Sequence, residues 1–194
     1  MSYHIYSTEG IILKRTPQGE ANVVLHVLTE KLGLIIASAR SARLAISKLR
    51  PALQEYESVG ISCIKSKNGW KITNVVGKES FYFDAPDYSQ KVLAQISSIL
   101  LRTITGELPH PKIFQTVKSG FKLLKSLSGE DASNLEVLMA LRVLHELGYV
   151  GSSPGTSSYL ENLDSWDKAL LSNVAKGKKE IVEIINRAIK ESHL

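Results

Sequence analysis

The side chains best suited to chemistry are cations in the first half of the chain. Three arginines and one lysine fall within eleven residues, at Arg40, Arg43, Lys48 and Arg50. Cations that converge on one groove bind a polyanion because each neutralised phosphate releases a counterion. Arginine in addition pairs a phosphate through two parallel hydrogen bonds. Unrelated charges on a solvated loop are the alternative, and the density of the charges favours phosphate contact over it.

Two smaller groups of cations accompany this cluster. Lys14 and Arg15 end the first predicted strand, and further lysines flank a predicted hairpin turn beside Trp70. The Trp70 ring is a surface on which a base can stack, but a tryptophan next to such a turn more often fills the end of a barrel core. The candidate DNA-contacting set is Lys14, Arg15, Arg40, Arg43, Lys48, Arg50, Lys65, Lys67, Trp70 and Lys71.

The distribution of charge separates the two halves of the chain. Residues 1–80 hold 11 of the 24 lysines and arginines but only 6 of the 19 acidic residues, so the whole net charge of +5 lies there. A basic half joined to a neutral half indicates a polyanion-binding module attached to a scaffold. The net charge taken alone is equally compatible with a role in solubility.

Motifs for catalysis and for metal binding are missing from the sequence. The five histidines lack metal-ligand spacing, and the single cysteine, Cys63, supports neither an internal disulfide nor a cysteine zinc cluster. Residues 175–179 (AKGKK) lack the upstream glycine and the following Ser or Thr of a phosphate-binding loop. The glycine-rich residues 148–155 are typical of a linker. The sequence therefore predicts a binding protein without cofactors, and an enzyme would need a site of scattered residues.

The sequence also carries no signal for a membrane or for secretion. No run of about 18 apolar residues is present, and the N-terminus lacks a positive stretch followed by an apolar core. We therefore expect a cytoplasmic protein without a membrane partner.

Short strands must position the cations of the first half. Five β-rich segments, residues 9–15, 23–29, 34–37, 54–65 and 70–77, are separated by turn signals. Asn68-Gly69 is typical of a type I′ hairpin turn, in which both residues have positive φ. Trp70, Ile72 and Val76 are expected to face inward. Five strands with a long connection, residues 38–52, predict a small closed barrel of the oligonucleotide-binding (OB) kind.

The apolar period changes from 2 to 3.6 after residue 83, which indicates helices. Three helices are predicted, with apolar stripes such as Leu93, Ile96, Leu100 and Ile104 in the first, and Gly148 is expected to cap the third. Two shorter helices, about residues 164–175 and 178–192, are predicted at the end. The expected fold class is α+β, with a five-stranded OB-type barrel over residues 1–80 followed by an all-α domain over residues 81–194.

The order and spacing of several motifs resemble the RecO family, bacterial mediators of DNA repair and recombination. The resemblance is strongest over residues 9–54 and extends over residues 88–150. The motifs are residues 9–15 (EGIILKR), 19–21 (GEA), 28–33 (LTEKLG), 39–43 (ARSAR), 47–54 (SKLRPALQ), 141–142 (LR) and 147–149 (LGY).

The resemblance implies an OB barrel plus a helical domain. It implies binding of single- and double-stranded DNA, annealing of complementary strands and loading of recombinase during the response to DNA damage. The implied partners are RecR and the acidic C-terminal tail of single-strand-binding protein, and the implied location is the nucleoid. Because residues 38–52 match the basic loop of the family, Arg40, Arg43, Lys48 and Arg50 would contact DNA.

One departure from the family pattern concerns zinc. Many RecO proteins carry a four-cysteine zinc element after the helix that ends in LGY, whereas residues 151–155 here are GSSPG. We therefore expect a short variant without the zinc-binding cysteines. Two other interpretations of the residues stay open, an RNA-binding OB-fold protein and a protein–protein adaptor of the repair machinery.

Overall fold

The computed structural model describes residues 4–161 and 166–192. The chain divides into two compact units. The first comprises Met1–Asp84 with Thr105–Pro111, and the second comprises Ala85–Ile104 with Lys112–Leu194. In the part of the chain that the structure describes, no helix has the length and apolar character needed to cross a membrane.

The first unit is built on a closed five-stranded barrel. Its strands are β1 (Ile5–Gln18), β2 (Asn22–Thr29), β3 (Gly33–Ala39), β4 (Glu57–Ser66) and β5 (Gly69–Ser80), and their order around the barrel is β1-β2-β3-β5-β4. The long β1 pairs antiparallel with both β2 and β4. A short parallel pairing of β3 with β5 closes the barrel. The predicted five-stranded OB-type barrel is confirmed.

Alternate residues of the strands fill the barrel interior, as half-buried strands require. Two residues of the connection between β3 and β4, Ala42 and Leu53, are also almost fully buried in this core. The other members are Ile12, Val23, Leu25, Val27, Ile35, Ala37, Ala39, Val59, Ile61, Cys63, Trp70 and Ile72. The connection is therefore anchored to the barrel at two points.

The prediction that Val76 faces inward is wrong, since its side chain is 60% exposed. The pairing of β5 with β4 shifts between Ser62 and Cys63, where Thr73 is an extra residue in β5. An extra residue reverses the alternation beyond it because side chains point to opposite faces with a period of two. Val75 packs against the core in place of its neighbour.

The hairpin between β4 and β5 is confirmed, but its predicted type I′ turn is wrong. Lys67 and Asn68 form the turn between the strands, and Gly69, with φ of 92°, already begins β5. Asn68 is not among the described residues with positive φ, as a type I′ turn would require. The glycine therefore supplies the left-handed conformation after the turn.

The second unit is helical. Its elements are α1 (Asp87–Thr103), α2 (Pro111–Leu124), α3 (Gly129–Glu146), α4 (Ser157–Leu160) and α5 (Lys168–Glu191). The predicted stripe of α1 is buried. Gly148 caps α3 as predicted: with φ of 80°, its N–H donates to the carbonyl of His145, and the N–H of Tyr149 donates to that of Leu144.

The two predicted terminal helices are one helix, α5, and the expected break between residues 175 and 178 is wrong. A Cβ added to Gly177 would lie 3.0 Å from the hydroxyl of Tyr159, which donates to the carbonyl of Asn173 at 3.2 Å. The glycine therefore allows a close approach to the helix, while the buried Val174 and Ile181 continue its apolar stripe. The predicted start at residue 164 lies outside the described residues.

Candidate nucleic-acid interface

A groove of about 430 Å³ lies on the outer face of the barrel. An adjoining concavity of about 310 Å³ shares Ser38, Arg40 and Lys71 with it. The groove is lined by Gln18, Asn22, Val24, Ile36, Ser38, Arg40, Asn68, Trp70 and Lys71.

The strand register explains why these residues share one face. Thr16 of β1 is paired with Val24 of β2, which is paired with Ser38 of β3, which is paired with Lys71 of β5. Residues paired across neighbouring strands lie on the same face of a sheet. The row therefore places Lys71 of β5 beside the end of β3. Arg40, the residue that follows β3, lines the same groove as Lys71.

Arg40 follows β3 directly, at a point where the backbone turns sharply. Ser41 has φ of 54°, and its N–H donates to Oδ1 of Asn22 at 3.0 Å. This contact fixes the start of the connection against β2. Arg40 is exposed and, with Lys71, contributes to both concavities.

We call residues 40–56 the β3–β4 loop. The Arg43 guanidinium donates through Nη1 to the carbonyl of Gly19 at 2.5 Å, and its backbone N–H donates to the carbonyl of Ala21 at 2.9 Å. Arg43 is therefore held against the turn between β1 and β2. Lys48 and Arg50 are exposed farther along the loop.

Lys65 is held by a carboxylate that is distant in sequence. Its Nζ lies 2.5 Å from Oε2 of Glu107, in the segment Thr105–Pro111 of the same unit, and 5.4 Å from the centroid of the Trp70 ring. The hydrogen bond from Lys65 lowers the pKa of Glu107, so the carboxylate is charged at neutral pH and compensates the lysine. Lys65 is less available to a phosphate than its sequence position indicates.

Trp70 belongs to the barrel core. Of the two roles considered for it, a core residue and a surface for base stacking, the core role was the favoured one. Its side chain is 5% exposed, and the Tyr6 ring meets it edge-on with centroids 5.2 Å apart. A ring covered in this way cannot receive a stacked base without a rearrangement. Trp70 lines the groove only through the small part that remains accessible.

The remaining predicted cations do not line the groove. Lys14 is exposed on β1 opposite His26, and burial together with the Lys14 charge lowers the pKa of that imidazole. The backbone N–H of Arg15 donates to Glu55 at 2.8 Å. Of the ten predicted residues, the groove brings together Arg40, Trp70 and Lys71, and it leaves outside Lys14, Arg15, Arg43, Lys48, Arg50, Lys65 and Lys67.

The sequence reading missed the uncharged lining of the groove. Gln18, Asn22 and Asn68 carry amides, which form hydrogen bonds with base edges, and Val24 and Ile36 add an apolar floor. Gln18 and Asn22 lie at strand ends and Asn68 lies in a turn, where asparagine is ordinarily explained by turn formation. No local sequence pattern groups these amides, because they share a face only through strand pairing, such as that of Gln18 with Asn22.

Residues 1–76 match the family described as recombination protein O N terminal. The barrel is therefore similar to the N-terminal domain of RecO proteins. All ten predicted contact residues lie within the matched range, whereas Glu107 lies outside it.

Curated relatives extend the similarity to RecO beyond the barrel. The chain is 27% identical over 150 residues to the DNA repair protein RecO of Nostoc punctiforme, covering 77% of this chain and 50% of the relative. It is 25% identical over 147 residues to that of Desulfitobacterium hafniense, covering 75% and 52%, and 24% identical over 155 residues to that of Alkaliphilus metalliredigens, covering 79% and 61%. The resemblance to the RecO family is confirmed, and the chain spans about half the length of most of these relatives.

Proposed function

We propose that this protein is a DNA-binding recombination mediator of DNA repair, whose barrel binds single-stranded DNA in the groove. In this proposal residues 1–80 are the nucleic-acid-binding domain, and residues 81–194 form the helical domain that meets partners, except that residues 81–84 and the segment Thr105–Pro111 belong to the barrel unit. The observation that carries the proposal is the convergence of Arg40 and Lys71 at one groove with an apolar floor and amide side chains.

Each part of the groove has a separate role in binding a strand. Arg40 and Lys71 neutralise phosphates, which supplies affinity independent of sequence. Val24 and Ile36 contact the faces of unstacked bases, and the amides of Asn22 and Asn68 bind their edges. The outer face of strands 2 and 3, flanked by the loops 1–2 and 4–5, is the surface on which OB folds bind oligonucleotides.

Annealing follows from the same contacts without bond chemistry. Cations that screen two phosphate backbones let complementary strands approach, and base pairing then drives the reaction. Lys48 and Arg50, exposed on the β3–β4 loop, are placed to contact a second strand or a duplex backbone. We therefore propose a binding protein, without an enzymatic step, that promotes strand annealing and recombinase loading.

The partners and the location belong to the same proposal. The similarity to curated RecO proteins supports a role in DNA repair, and RecR and the acidic tail of single-strand-binding protein are the proposed protein partners, at the nucleoid in the cytoplasm. Residues 81–194, over which the charges are balanced, are the proposed side for those contacts.

The test measures the binding of a fluorescent single-stranded oligonucleotide across a salt series. The double variant Arg40→Ala, Lys71→Ala should flatten the slope of log affinity against log salt by about 1.4, since each phosphate contact to a single strand contributes about 0.7. Lys31→Ala, at an exposed lysine between β2 and β3 that does not line the groove, is the control and should leave the slope unchanged.

The outcomes separate the proposal from its alternatives. Absence of binding at low salt, with retained binding to the tail of single-strand-binding protein, would indicate a protein–protein adaptor. A clear preference for RNA over DNA of the same sequence would indicate an RNA-binding protein that contacts the 2′-hydroxyl. Salt-sensitive DNA binding with faster annealing of an added complement supports the mediator.

A further inference from the structure

The β3–β4 loop presents an apolar side chain to solvent between its cations. Ile46 is 88% exposed, and no large apolar side chain in the described residues is more exposed. Leu44, two residues earlier, is 43% exposed. Single exposed apolar residues are common on protein surfaces, so the surroundings decide whether this one has a role.

The exposure of Ile46 is fixed by the fold of the loop. The N–H of Leu44 donates to the carbonyl of Ser41 at 3.2 Å, and that of Ser47 donates to the carbonyl of Leu44 at 3.0 Å. Ala42 and Leu53 bury their side chains in the barrel core on either side of this segment. The loop therefore buries part of its apolar surface and holds Ile46 outward.

The charges around Ile46 indicate what it contacts. Residues 40–54 contain four cations and no acidic residue. Arg40 of the same loop lines the groove proposed for the strand, and the exposed Lys48 and Arg50 follow Ile46. A ligand that is polyanionic and also offers apolar faces matches this surface, and a single strand with unstacked bases has both properties.

We propose that Ile46 is a wedge that inserts between the bases of a strand bound by the loop cations and keeps those bases unstacked. The inference rests on the proposed function, because it takes DNA as the ligand. Aliphatic side chains inserted at a base step unstack it partially, while neighbouring cations hold the backbone. Unstacked bases are free to pair, so the wedge would favour annealing over self-structure of the strand.

The test uses a single-stranded oligonucleotide carrying 2-aminopurine, whose fluorescence rises when the base unstacks. The wild-type protein should raise the fluorescence, and Ile46→Ala should abolish most of the rise. The same variant should weaken binding by about fivefold to tenfold, as loss of part of a buried aliphatic contact does, and should leave the salt slope unchanged. Val76→Ala, at another exposed aliphatic side chain on β5, is the control and should alter neither quantity.

The outcomes distinguish this inference from the proposed function. Wild-type protein that binds no DNA overturns both. Salt-sensitive wild-type binding, with Ile46→Ala indistinguishable from wild type in fluorescence and affinity, overturns the wedge alone. Unchanged DNA binding by Ile46→Ala, with loss of binding to a synthetic acidic peptide rich in phenylalanine, assigns the loop to a protein partner and also overturns the wedge.

Discussion

Two lysines of the β4–β5 hairpin differ in the structure in how available they are to a phosphate, although the sequence gives no reason to distinguish them. Lys65 is paired with Glu107 at 2.5 Å. Lys71 lines the groove, and among the described residues no ion pair involves it. We expect Lys71→Ala to flatten the salt slope of single-strand binding and Lys65→Ala to change it little. Glu107→Gln should steepen the slope because it releases Lys65.

The size of the effect follows from counterion release. Each phosphate contact to a single strand contributes about 0.7 to the slope, so a fourfold rise in salt, from about 50 to about 200 mM, changes affinity about 2.6-fold per contact. Lys71→Ala should therefore reduce the salt sensitivity by that factor. Glu107→Gln should increase it by up to the same factor, and Lys65→Ala introduced into that variant should cancel the increase.

The assay is fluorescence anisotropy of a labelled oligothymidine at several salt concentrations and pH 7. Lys65 lowers the pKa of Glu107, so the pair is intact above the ordinary glutamate pKa and is lost only as the pH falls through the lowered value. Glu130→Gln, at an exposed glutamate in the first turn of α3, makes the same change in net charge and should not alter the slope. Equal flattening by Lys65→Ala and Lys71→Ala, with no effect of Glu107→Gln, would refute the reasoning.

Two further predictions concern the interiors of the two units. Burial raises the pKa of the Cys63 thiol to about 11. A disulfide reagent at pH 8 should therefore react slowly with this thiol in the folded protein and rapidly after unfolding in guanidinium. Equal rates in the two states would contradict the burial. A Cβ added at Gly120 of α2 would lie 2.6 Å from Sδ of Met139, so Gly120→Ala should lower the free energy of unfolding in urea by about 1–3 kcal/mol. Gly151→Ala, with no atom within 4 Å of its added Cβ, is the control, and equal stability of the two variants would show that Met139 moves aside without cost.

Local patterns were sufficient to predict most elements of the fold. The apolar runs of β2 and β3 and the apolar stripe of α1 depend on neighbours within one strand or helix, and the structure confirms them. Predictions from the sequence were wrong where contacts between residues distant in the sequence decide the conformation. The bulge at Thr73 depends on pairing with β4. The glycine inside α5 is explained by the Tyr159 hydroxyl, which lies 3.0 Å from the position of an added Cβ at Gly177.

The same distinction between local and long-range information applies to the candidate site. The cations of the β3–β4 loop were predictable because their density is a property of eleven consecutive residues. The groove was not, since Gln18, Ser38 and Lys71 share a face only through pairings between β1, β2, β3 and β5.

Charge alone therefore overstates the number of cations that a strand can reach. Arg43 is held by the carbonyl of Gly19, and Lys65 is compensated by a carboxylate 42 residues away. A phosphate must displace those partners before it gains either cation, whereas Arg40 and Lys71 already lie together at the groove. If this difference governs binding, the affinity of the barrel for a strand is set by the few cations that remain available at the groove. The net charge of +5 then has only a weak, long-range effect on the rate at which protein and strand meet.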